Sequence, residues 1–489
     1  MAVGHAWATT LRLVARFFSE RTLRVPVLVV AVATLGGSLH APVISYFYLQ
    51  LKLTAPEIGS LGAISSVGTM LLSPLYGWLL DTHGAYYAIL FSSSMCALGC
   101  LARGCAAGYN ALVGASLLLG LGGGNLITLV CAYLSSHTAR AERAAVLSAY
   151  ISLLSVLNIS GKSLYVPFDD LLWALGVTDL MVRYRITISV CTFFCFFGVA
   201  QLFCNGAVLR RTGQAEGKGA SDDDVAMESE MRDTVGDAIL SEEKSGVAPR
   251  RPCAAAVPAE IVLVMLGLWL RTASLTLTRT LWPLWLKFHF GWGAGAYSRL
   301  LLASSLLDTT AVACFPTVER RCGRTRTACL LAVGAAFGAL GFTAQLPVSG
   351  GTQAVHTVLV IAHLACIATL EPSLKSVASL RASQEQQGRS FGAMALICGL
   401  GDLFANLVGT RVFQASLEGH IPIFNGGAFP FVILSGLIAI VVSILHFGSA
   451  TVSAQLPESP RLRCSPSENL VISDSDSERG ALTRGRNVS

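Results

Sequence analysis

Apolar residues gather along the chain into twelve runs, broken by short polar stretches. The runs cover 25–48, 58–80, 86–107, 110–135, 144–164, 184–207, 259–287, 296–318, 326–346, 354–379, 389–413 and 429–448. Each is long enough for a bilayer-crossing helix, which needs about 20 apolar residues for a hydrocarbon core of about 30 Å. The runs are continuous rather than alternating, which predicts helices and excludes barrel strands. One long polar interruption, 209–257, divides them six and six. The pattern predicts an all-α polytopic membrane protein, with 12 transmembrane helices in two six-helix bundles over 25–208 and 258–448.

The polar segments differ among themselves. Within 1–24, Arg12, Arg16, Arg21 and Arg24 face a single acid, Glu20, and Trp7, Leu11, Val14 and Phe18 recur at helical spacing. An interfacial amphipathic helix on the cytosolic side is the plainer reading; an Arg-rich targeting peptide has the same composition. In 209–257, Asp222, Asp223, Asp224, Glu228, Glu230, Glu242 and Glu243 sit among small residues, which predicts a disordered acidic cytosolic linker. The tail 449–489 reads the same way and ends in an acidic Ser-rich run at Ser473–Glu478, a plausible substrate for an acid-directed kinase but more simply a solvated tail.

Charge adds orientation. With both termini placed in the cytosol, 24 of the 35 Lys and Arg fall on that side, and only Lys52, Arg183, Arg185, Lys287 and Arg299 on the other. The positive-inside rule therefore puts both ends in the cytosol. The formal charge of +6 is loop charge that orients helices, so no nucleic-acid partner is implied. The chain is 53% hydrophobic and 13% charged, which excludes an ordinary soluble domain. The fourteen Cys show no metal-ligand spacing along the sequence and read as reduced packing residues. The sequon at Asn158 lies inside a span and that at Asn487 at the cytosolic end, so neither should carry a glycan.

Between the second and third runs stands Gly77-Trp78-Leu79-Leu80-Asp81-Thr82-His83-Gly84, and between the eighth and ninth Glu319-Arg320-Arg321-Cys322-Gly323-Arg324, 239 residues later. Pro56-Glu57-Ile58-Gly59-Ser60-Leu61, Phe290-Gly291-Trp292 and Gly388-Arg389-Ser390-Phe391-Gly392 open further spans. In these motifs, over about residues 25–448, the chain resembles the major facilitator superfamily of transporters. The resemblance implies a cytosolic gate in which Asp81, between Gly77 and Gly84, latches onto Arg140 or Arg143; the plainer reading makes Asp81 a helix stop. The basic residues usual after the second glycine are replaced by Ala85-Tyr86-Tyr87. Ser116 stands where drug antiporters carry Arg, and Asn158-Ile159-Ser160-Gly161-Lys162 where they carry a Gly-Pro pair, so multidrug antiport is disfavoured.

Ionisable groups at bilayer depth cost at least about 2.5 kcal/mol each and so mark candidate sites. The informative ones are His40, Lys162, Arg271, Arg279, Asp308, His363, Glu371 and Asp402. The resemblance implies that helices 1, 4, 7 and 10 line the path, which includes His40, Asn125, Arg271, Arg279, His363 and Glu371. Substrate-binding candidates are His40, Asn125, Lys162, Arg271, Arg279 and His363; Asp308, Glu371 and Asp402 are candidates for coupling or charge balance. Gly36, Gly37 and Pro42 near His40 are expected to break the first helix. Asp308 or Asp402 is the expected partner of Arg271. Glu371 and Lys375, four apart, form an expected intrahelical pair, and His363 reads equally as a packing residue. Tyr46, Tyr48, Trp282 and Trp285 fall near helix ends, where an interfacial aromatic belt is the default.

No Gly-x-x-x-x-Gly-Lys-Ser/Thr run supports nucleotide binding. The expected function is a secondary active or facilitative transporter of a small polar or anionic solute, working by alternating access. Proton or another ion is a candidate co-solute; the expectation is a monomer in the bilayer, with no cofactor or metal and no enzymatic activity. A non-transporting receptor or scaffold on the same fold is the alternative, and an integral-membrane transferase a more remote one.

Overall fold

Glycine and acidic caps set where the helices begin and end. In the computed structural model, which describes residues 12–138, 143–207, 209, 259–343, 350–381, 387–421, 423 and 426–455, the first six membrane helices are α1 (Arg21–Gln50), α2 (Ala55–His83), α3 (Ala85–Cys105), α4 (Tyr109–Ser136), α5 (Arg143–Ala174) and α6 (Leu180–Asn205). The second six are α7 (Ala259–Phe290), α8 (Ala294–Cys322), α9 (Arg324–Ala339), α10 (Gly350–Arg381), α11 (Gln387–Phe404, continuing to Leu417) and α12 (Phe429–Gln455). Eleven of these are long and apolar enough to cross a membrane. The expected linker beyond 209, most of the tail and residues 1–11 lie outside the described residues. Leu209 itself is buried with the first six helices.

At the start of α2, the Glu57 carboxylate accepts from the backbone N–H of Thr54 at 2.7 Å, satisfying a donor the helix leaves free. Asp179 accepts from Met181 and Val182 N–H at the start of α6. Gly84 and Gly323 both adopt φ +83° in the one-residue links α2–α3 and α8–α9. These sites are 239 residues apart and repeat the same left-handed turn, as the duplicated motif predicts.

Helix α1 runs unbroken through Gly36, Gly37 and Pro42, correcting the expected break. The glycines serve close approach instead. A Cβ on Gly36 would lie 3.2 Å from the Cys191 Cα on α6, and one on Gly161 of α5 would lie 2.6 Å from the Leu35 carbonyl of α1. Gly120, Gly122 and Gly124 likewise seat α4 against α2 and α3.

The halves meet where α2 packs on α11 and α5 on α8, with smaller contacts of α1 to α7 and α8. We call the face where α1 begins and α6 ends the terminal face, and the opposite one the far face. A core that runs the length of the second half, from Val264, Val377 and Leu445 to Leu281, Trp285 and Phe431, takes in first-half residues such as Val43, Phe47 and Leu61 at the far-face end. A second core, including Phe17, Val27, Tyr86, Tyr133 and Leu202, contains residues of the first half alone. Along α2, Ile58 and Leu61 are buried, whereas Leu71 is 70% and Trp78 54% exposed. The molecule is closed at the far face and its halves part toward the terminal face.

Residues 12–19 are helical ahead of α1. Their anchor is Phe17, fully buried in the first-half core, while Phe18 is exposed. Leu13 and Val14 pack against the same core, so this stretch docks on protein.

Candidate functional site

Helices α5, α7, α8, α10 and α11 carry charged side chains to mid-depth between the halves. Arg271 on α7 is buried, and its guanidinium meets the Glu371 carboxylate of α10 at 2.5 Å. Arg271 Nε also donates to the Ile367 carbonyl at 2.9 Å. Glu371 receives Lys375 Nζ at 2.6 Å, so the expected intrahelical pair exists and Arg271 joins it. This corrects the expected pairing of Arg271 with Asp308 or Asp402. Helices α7 and α10 pack directly on one another, which turns Arg271 toward α10.

Arg279, two turns further along α7, is exposed in an otherwise buried stretch. It lies within electrostatic range of Lys162 on α5, Asp308 on α8 and Asp402 on α11. Since α5 belongs to the first half, Arg279 faces the space between the halves. Among the described residues, no hydrogen bond or ion pair holds its guanidinium. Lys162 Nζ donates to Ser305 Oγ at 2.7 Å, and Ser298 Oγ donates to the Lys162 carbonyl at 2.9 Å, tying α5 to α8. Asp402 accepts from Thr276 Oγ1 of α7. Asp308 Oδ1 is buried without a hydrogen-bond partner. Lys162, Arg279, Asp308 and Asp402 thus form one constellation, with Arg271–Glu371–Lys375 beside it.

Three candidates turn elsewhere. His40 hydrogen-bonds the Gly36 carbonyl of its own helix and has Cys100 and Arg103 of α3 as its charge neighbours. Asn125 is buried against α2, accepting from Ser73 Oγ at 2.7 Å and donating to the Thr69 carbonyl. His363 is fully buried, with Nδ1 2.8 Å from the Ala335 carbonyl of α9, which is its packing reading. For the gate, Arg140 lies outside the described residues, as do the side chains of Asp81 and Arg143.

The aromatic residues expected in an interfacial belt are inside. Tyr46, Tyr48, Trp282 and Trp285 are all buried, because α1 and α7 are enclosed by other helices at the far face. Tyr46 meets Tyr297 across the halves with ring centroids 6.1 Å apart, and Trp282 stands edge-on to Tyr297 at 5.7 Å. Arg279 acts electrostatically on Tyr297, so this layer caps the charge constellation. Beyond it lies a far-face pocket of about 230 Å³ lined by Tyr46, Gln50, Tyr165, Asp169, Tyr184 and Lys287, among others.

Sequence reasoning missed His356 and the α8 serines. Trp282 Nε1–H donates to His356 Nε2 at 3.0 Å, which leaves Nδ1–H to donate to the Gly341 carbonyl at 2.7 Å. The ring is stacked on Trp285 at 4.2 Å. Ser298, Ser305 and Asp308 recur at i, i+7 and i+10 on one face of α8, a spacing visible in the sequence.

Comparison with known proteins agrees with this architecture. The nucleoside transporter NupG superposes with a TM-score of 0.61 at 13% identity, covering 88% of this chain and 99% of that one. A POT family transporter in complex with 5-aminolevulinic acid gives 0.61 at 12% identity, covering 89% and 97%. A D-xylose–proton symporter gives 0.59 at 12% identity, covering 86% and 95%. At these identities the likeness is one of fold. No curated protein sequence matches the chain. The profile of the Major Facilitator Superfamily matches residues 27–406, well over half the length, and with twelve helices in two sets of six the chain belongs to that superfamily.

Proposed function

We propose that the protein transports a small polar solute bearing an anionic group, by alternating access, with both termini in the cytosol. The observation that carries this reading is Arg279: an exposed guanidinium on a mid-depth stretch of α7, without an acceptor among the described residues, facing Lys162 across the halves. A guanidinium stays charged and presents a planar fork that suits a carboxylate or phosphate. Asp308, with one carboxylate oxygen unpartnered, is the place for a proton or a donor group of the solute. Fold neighbours named for a nucleoside and for D-xylose, and one in complex with 5-aminolevulinic acid, fit a cavity for small polar molecules.

The test is uptake into proteoliposomes across a charge-graded panel of small solutes. Uptake of an anionic member should fall about tenfold or more in Arg279→Ala and recover only partly in Arg279→Lys, which lacks the fork. Uptake by Arg279→Ala equal to the unaltered protein for every anionic solute overturns the reading.

A further inference from the structure

Four cysteines that look unrelated along the chain converge inside the first half. Cys96 and Cys100 are four apart on α3, Cys191 and Cys195 four apart on α6, so each pair presents its sulfurs on one helix face. Helices α3 and α6 pack together, and the two faces meet. Cys100 Sγ lies 3.9 Å from Cys191 Sγ and 4.0 Å from Cys195 Sγ. The sulfurs of Cys96, Cys100 and Cys195 all lie within 4.8 Å of one another. Tetrahedral coordination at a metal–sulfur distance of about 2.3 Å places ligand sulfurs about 3.8 Å apart. Cys96, Cys100 and Cys195, and Cys191 toward Cys100, therefore stand near metal-ligand separation. A disulfide, by contrast, needs its sulfurs at about 2.05 Å.

The surroundings are closed and apolar. Cys100, Cys191 and Cys195 are buried with Ala97 and Val199, and Leu90, Leu119, Ala33 and Cys96 pack around them. Two further groups lie near Cys100, His40 on α1 and Arg103 one turn along α3. His40, left outside the charge constellation, has Cys100 and Arg103 as its charge neighbours. Arg103 Nε is buried without a hydrogen-bond partner. A cation one helix turn from Cys100 is suited to balance the negative charge that coordinating thiolates bring into an apolar site.

We propose that Cys96, Cys100, Cys191 and Cys195 form a binding site for a thiophilic closed-shell metal ion, Cu⁺ or Zn²⁺, that clamps α3 to α6 behind α1. Thiolates are the ligands, so each sulfur that coordinates releases its proton on binding, and no electron is transferred. Two thiolates on a monovalent ion, or three on a divalent one, leave a single negative charge for Arg103 to offset. The site sits in the first half alone and does not depend on the solute reading.

The experiment uses the full chain in lipid nanodiscs, reduced and stripped of metal. Anaerobic titration with Cu⁺ and, separately, Zn²⁺ against a competing chelator is followed by metal-to-protein analysis and sulfur-edge X-ray absorption. Cys105→Ser with Cys204→Ser removes exposed thiols of the same two helices and serves as the reference. One equivalent of at least one metal, retained by the reference and held with sulfur ligation, is expected. Cys100→Ser should weaken binding about tenfold or more. If that variant does not fold, Cys96→Ser, at the less buried edge of the cluster, is read the same way. The proposal is overturned if neither metal is retained, if both serine variants keep the full equivalent, or if thiol counting finds these cysteines in a disulfide.

Discussion

Glu371 serves two cations at once, and the two differ in what they can do when it is removed. Arg271 is 8% exposed, whereas Lys375 is 38% exposed. Glu371→Ala should therefore leave a buried guanidinium with only the Ile367 carbonyl, at a cost of about 3 kcal/mol or more. Arg271→Ala leaves Glu371 still paired with Lys375 and should cost less, on the order of 1–2 kcal/mol. The monodisperse fraction after a heating series should rank unaltered protein, Arg271→Ala, Glu371→Ala, and the reverse order of the variants would refute this account. His356→Phe offers a second measure: the stack on Trp285 survives while Trp282 Nε1 and the Gly341 carbonyl lose their partner. Two orphaned buried groups predict a loss of about 1–3 kcal/mol each, seen as a lower unfolding temperature. At this scale the sequence shows which residues are costly in a bilayer but not what they touch. Arg271 and Glu371 stand out as ionisable groups at depth, yet their pairing depends on how α7 and α10 are rotated against each other. Rotation also separates His40 and His363, which face other helices, from Arg279, which faces the opposite half.

Helix number and order were legible because each apolar run must satisfy its own backbone in lipid. All twelve predicted runs correspond to helices α1–α12. Glycines were harder to interpret, since a Gly-Gly pair reads equally as a helix breaker or as a seat for a neighbour. Gly36 shows the second use, and so does Gly59 of α2. A Cβ on Gly59 would lie 2.1 Å from the Asn406 carbonyl of α11. That carbonyl belongs to the π-turn Ala405–Gly409, an irregularity invisible in the apolar pattern and set one turn beyond Asp402. A backbone atom so close cannot yield cheaply, so Gly59→Ala should push α11 away and disfavour far-face closure by about 1–3 kcal/mol. Gly114→Ala on α4, with nothing within 4 Å of the added Cβ, is the matched control. A cysteine reporter at Tyr46 should then react faster with a water-soluble thiol reagent from the far face in Gly59→Ala than in Gly114→Ala. Equal rates would mean that the α2–α11 seat does not hold this face shut.

For the whole molecule, the core shared between the halves at the far face and the separate core of the first half fit one end of the alternating-access cycle proposed above. In that proposed cycle two conformations exchange, and the structure corresponds to the one open toward the terminal face. Its closing layer includes Tyr46 of the first half against Tyr297 of the second, with Trp282 edge-on behind. To reach the other conformation these rings must part, while the terminal ends of α2 and α8, now exposed at Leu71, Trp78 and Val318, come together with the opposite half. Joining the far-face ends should trap the protein as it stands. The variant Tyr46→Cys with Tyr297→Cys, with the exposed Cys105, Cys204, Cys314 and Cys322 changed to Ser, allows a short bis-methanethiosulfonate reagent to join, through reducible disulfides with sulfinate as leaving group, two positions whose ring centroids now lie 6.1 Å apart. Cross-linked protein should still bind solute entering from the terminal face, because Arg279 and Lys162 lie on that side of the layer, yet lose uptake until reductant restores it. Retained binding with reversible loss of transport is the pattern that only a moving far-face gate produces. Full transport by cross-linked protein would show that the Tyr46–Tyr297 layer does not open, and that solute crosses by some route other than the space between the halves.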